Sequence, residues 1–64
     1  MPVERSELSS MSKTIEDLAK RIAAMGDAAQ AARDDATAHD LYSVERSLVG
    51  ATRRIARIIE QGRS

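Results

Sequence analysis

From Leu8 onward, apolar residues recur at alternating intervals of three and four: Leu8, Met11, Ile15, Leu18, Ile22, Met25, Ala29, Ala32 and Ala36. That spacing draws one apolar stripe along an α-helix and has the form of a coiled-coil seam. Leu8, Ile15, Ile22, Ala29 and Ala36 take heptad position a, and Met11, Leu18, Met25 and Ala32 take position d. A second series runs Leu41, Val44, Leu48, Ala51, Ile55 and Ile58, with a at Leu41, Leu48 and Ile55. Continuing the first register would put a at position 43, so the two series are out of phase and the chain must turn between them.

The stretch 33–40 is locally rich in Asp and Thr, which compete for backbone hydrogen bonds and favour caps and turns. The pattern predicts helix 1 over about 7–34, a turn at about 35–37 and helix 2 over about 38–61. Ser6 is the expected first N-cap, Thr37 or Asp40 the second, and Gly62 the final stop. Folding back near Asp35 pairs Ala32 with Leu41, Ala29 with Val44, Met25 with Leu48, Ile22 with Ala51, Leu18 with Ile55 and Ile15 with Ile58. The expected fold is therefore all-α, a two-helix antiparallel coiled-coil hairpin. Its core would be Ile15, Leu18, Ile22, Met25, Leu41, Val44, Leu48, Ile55 and Ile58.

Composition agrees with helix and raises a question of size. Eleven Ala, one aromatic (Tyr42) and one Pro, at position 2, leave few breakers in a single domain of 64 residues. A chain this short buries only about 60% of its unfolded surface and needs a disulfide, a metal or a partner to be robust. Without Cys the disulfide route is closed. Apolar residues also remain outside the seam. Tyr42, Val49 and Ile59 widen the apolar face of helix 2, and Ala19, Ala23 and Gly26 on helix 1 are small enough for another helix to approach closely. These six are the expected assembly interface of a homodimer, a four-helix bundle built from two hairpins.

Charge cancels overall, ten bases against ten acids, but not along the chain. Residues 1–40 carry a net −3 and residues 41–64 a net +3. Arg46, Arg53, Arg54 and Arg57 fall at f, f, g and c and form one basic stripe opposite the seam. The stripe suits an acidic protein surface, or the phosphates of a nucleic acid or nucleotide. No aromatic side chain interleaves with these arginines to stack on bases, which makes nucleic acid the lesser expectation.

Little else in the sequence carries chemistry. Asp34, Asp35, His39 and Asp40 match no metal-ligand spacing, and one histidine gives no imidazole cluster. Ser43 and Ser47 lack a nearby general base at triad-like spacing, and no Gly-rich phosphate loop is present. No catalytic residue, metal or cofactor is expected. The N-terminus has no apolar stretch of the signal-peptide kind and nothing approaches a membrane span, so the expected location is cytoplasmic. The expected function is a self-associating, non-enzymatic interaction module, a small regulatory adaptor. Nucleic-acid or nucleotide binding and a subunit role in an obligate heteromer are the alternatives.

Overall fold

The computed structural model describes residues 4–62. Two α-helices, α1 (Arg5–Ala31) and α2 (Asp35–Gln61), pack side by side in opposite directions as a rod of 49 × 16 × 14 Å. The all-α hairpin read from the sequence is the fold. No described helix is long and apolar enough to cross a membrane.

The helix ends differ from the predicted ones for local reasons. At the start of α1 the cap is Glu4, ahead of the expected Ser6. Its carboxylate accepts from the Ser6 amide at 3.0 Å and from the Ser6 hydroxyl at 2.6 Å. Both bonds favour the charged form and hold the Glu4 carboxyl below its ordinary pKa.

The turn is residues 32–34, ahead of the predicted 35–37. Arg33 takes the left-handed conformation (φ 62°) that Gly usually supplies. Its amide bonds the Gln30 carbonyl at 3.0 Å, and the Asp34 amide bonds the Ala29 carbonyl at 2.9 Å. This pair is the Schellman closure, which satisfies two carbonyls that the helix end leaves orphaned. Asp34 then caps α2, accepting from the Thr37 amide at 3.3 Å. Neither Thr37 nor Asp40 is the cap: α2 begins at Asp35, which leaves both inside the helix and puts Asp34 where its carboxylate meets a free amide. Gly62 does follow α2, but in right-handed conformation. The Arg5 guanidinium donates to its carbonyl and ties the two ends of the hairpin together.

The earlier turn slides α2 along α1. Tyr42 now lies against Gly26, where the predicted pairing had Leu48 beside Met25. It also rotates the contact. The helices meet along a and the neighbouring e column, which holds Ser12, Ala19 and Gly26 on α1 and Ala38, Glu45, Thr52 and Ile59 on α2, rather than along a and d. Ala19 is 3% exposed, and Gly26 and Ala38 are likewise buried. The small e residues Ala19, Gly26 and Ala38 let the two backbones approach closely, which long d residues would prevent.

Candidate functional site

Position d lies to one side of the a/e contact on each helix, and in an antiparallel pair both d columns emerge on the same broad face. That face carries Met11, Leu18 and Met25 from α1 and Val44 and Ile58 from α2, each between 42% and 59% exposed. Ala51 is half-buried at its centre, backed by the half-buried a residues Ile15, Ile22, Leu48 and Ile55. Beside Ala51 the surface dips into a shallow hollow lined by Ser47, Gly50, Ala51, Arg54 and Ile55. A Cβ added at Gly50 would meet nothing within 4 Å. No contact inside the chain accounts for a glycine in mid-helix there.

The predicted assembly residues are placed on the other side of this divide. Ala19 and Gly26 are closed inside the hairpin, and Ala23, Tyr42, Val49 and Ile59 are half-buried along it. They border the contact between the helices and do not lie on the open d-column face. Of the predicted core, Ile15, Ile22, Leu41, Leu48 and Ile55 remain half-buried, while Leu18, Met25, Val44 and Ile58 form the open apolar face. Seam and outer face have exchanged their d and e columns because the smaller residues won the contact. The opposite broad face bears a groove between the helices lined by Glu16, Ala19, Lys20, Ala23, Glu45, Val49 and Thr52.

Tyr42 makes a polar link between the helices near the turn. Its ring lies over Gly26, so close that a Cβ there would stand 2.8 Å from Cε1. Its hydroxyl donates to the Asp27 carboxylate at 2.5 Å, and Gln30 Oε1 lies 3.1 Å away. Donation to Asp27, desolvation and the Asp27 charge all raise the phenol's pKa above its ordinary value.

The arginine stripe is exposed along its length, and among the described residues no ion pair or hydrogen bond engages Arg46, Arg53, Arg54 or Arg57. Arg46 and Arg53 point away from α1, whereas Arg54 flanks the open apolar face. Among the described residues no three carboxylate or imidazole side chains gather to hold a metal ion. The Ser47 hydroxyl donates to the Ser43 carbonyl at 3.1 Å, an ordinary helix back-bond. Among the described residues the groove and the hollow are both open to solvent. Compared with known proteins, the chain matches no family model, no curated protein and no solved structure.

Proposed function

We propose that this chain is a non-enzymatic helical interaction module that self-associates, two hairpins making a four-helix bundle. The observation that carries this reading is the open apolar face of Met11, Leu18, Met25, Val44 and Ile58. Surface area supports it. The chain exposes 5055 Å², whereas a compact monomer of 7.0 kDa exposes about 4,000 Å². The excess, about 1,000 Å², comes from an elongated rod whose long faces are uncovered. Mass by light scattering across a wide range of concentration, with circular dichroism alongside, tests the reading. A helical species of twice the 7.0 kDa chain mass supports it. A species that stays at one chain mass contradicts it, and poor helicity in that species would turn attention to a heteromeric partner.

Within the same reading, Arg46 and Arg53 are the contact for an acidic protein, since their guanidiniums are exposed and unpaired among the described residues. Salt-sensitive retention on immobilised RNA, lost with Arg46→Glu and Arg53→Glu, would reassign the stripe to nucleic acid.

A further inference from the structure

Self-association by itself leaves open which surfaces meet and in what orientation. Resting on that reading, we infer that a second copy of this chain seats on the open face with its turn at the same end, so that α1 of each copy crosses α2 of the other and Leu18 enters the hollow at Gly50. Two observations converge on it.

The first is area. The broad face measures about 49 by 16 Å, on the order of 800 Å², which is what each partner of a standard interface contributes.

The second is shape. Within the hairpin, Gly26 lies level with Tyr42 and Arg5 with Gly62, so Leu18 is level with Gly50, Met11 with Ile58 and Met25 with Val44. A two-fold axis parallel to the helices brings each α1 residue over its level counterpart on α2 of the second copy. Leu18 then projects onto the hollow of Ser47, Gly50, Ala51 and Arg54, large against small, while Met11 covers Ile58 and Met25 covers Val44. Glycine at position 50 costs a helix about 1 kcal/mol relative to Ala. Nothing within the chain uses the space it leaves; a seated Leu18 does.

The opposite choice, with turns at opposite ends, stacks α1 on α1 and α2 on α2. Leu18 then faces Leu18 and Gly50 faces Gly50 across a void, which close packing disfavours.

Two measurements test the inference separately from the reading beneath it. Because the chain lacks Cys, a nitroxide on Ala31→Cys, an exposed site near the turn, reports only distances between copies. Turns at the same end predict a label separation below about 30 Å, given helix spacings of 8–10 Å. Turns at opposite ends predict roughly 40 Å or more, set by the 1.5 Å rise per residue. Gly50→Leu is the second probe: it adds bulk to the hollow's lining, and its Cβ meets nothing in its own hairpin, so helicity stays or rises while the dimer dissociation constant climbs tenfold or more. The added variant Leu18→Ala, which reverses large and small, should recover part of that loss. A dimer with the long label distance, or one indifferent to Gly50→Leu, overturns the inference and leaves self-association standing. A wild-type chain that never dimerises overturns both.

Discussion

Gly26→Ala is the substitution whose sign is most closely determined. In an ordinary helix interior the change gains about 1 kcal/mol of helix propensity. Here the new methyl would stand 2.8 Å from Cε1 and 3.0 Å from Cδ1 of Tyr42. The ring cannot swing away freely, because its hydroxyl is held by Asp27. Overpacking of this kind costs about 1–3 kcal/mol, so the sum runs from neutral to a loss of about 2 kcal/mol. A loss of about 1 kcal/mol lowers the melting temperature of so small a domain by about 4–8 °C. In a Tyr42→Ala background the obstacle is gone, and the same Gly26→Ala change should stabilise by about 1 kcal/mol. Urea unfolding of the four chains, followed by circular dichroism at one fixed concentration, closes the cycle. Stabilisation of the wild-type chain by Gly26→Ala, or an equal effect in both backgrounds, would refute the steric reasoning.

Other outcomes follow from the turn and the termini. Asp34→Ala removes the α2 cap and should cost about 0.5–2 kcal/mol in chemical unfolding, with Asp34→Ser recovering most of it. Arg33→Gly relieves a left-handed residue of about 1 kcal/mol and returns some of that as unfolded-chain entropy, so a small net gain in melting temperature is expected; a marked loss would mean the Arg33 side chain matters. The raised pKa of Tyr42 makes its neutral form the stabilising one. That contribution is complete below the ordinary phenol pKa and fades as pH rises through the folded one, so alkaline titration followed by tyrosinate absorbance should show Tyr42 ionising later in the hairpin than in urea. Glu4 has the opposite sign: its cap is complete above the ordinary carboxylate range and is lost as pH falls through its lowered pKa, with fraying of α1 as the readout.

The heptad spacing was enough to read two helices and their antiparallel return, because period and phase are properties of sequence alone. The choice of face was not legible in the same way. Both helices carry apolar a and d columns, and pattern gives large residues to the seam. What decides the contact is how near two backbones can come, and that depends on Ala19, Gly26 and Ala38 lying level with partners across a register the turn sets. The turn itself was misplaced because its left-handed position is filled by Arg33, which carries none of the signal a glycine would. Gly50 was the clue within reach of the sequence: a mid-helix glycine next to Ala51 of the d column asks what approaches it.

The claim that the d-column face is where copies of this chain meet is tested most directly by the methionines on it. Met11 and Met25 are about half exposed or more in the single hairpin, and peroxide converts accessible Met to the sulfoxide. Oxidation of each should be followed by peptide mass spectrometry across a wide range of protein concentration. Both should be oxidised readily in dilute protein and protected together as concentration rises and the dimer forms. Rapid oxidation at every concentration, in a sample whose mass shows it to be dimeric, would contradict the claim and place the interface on another face.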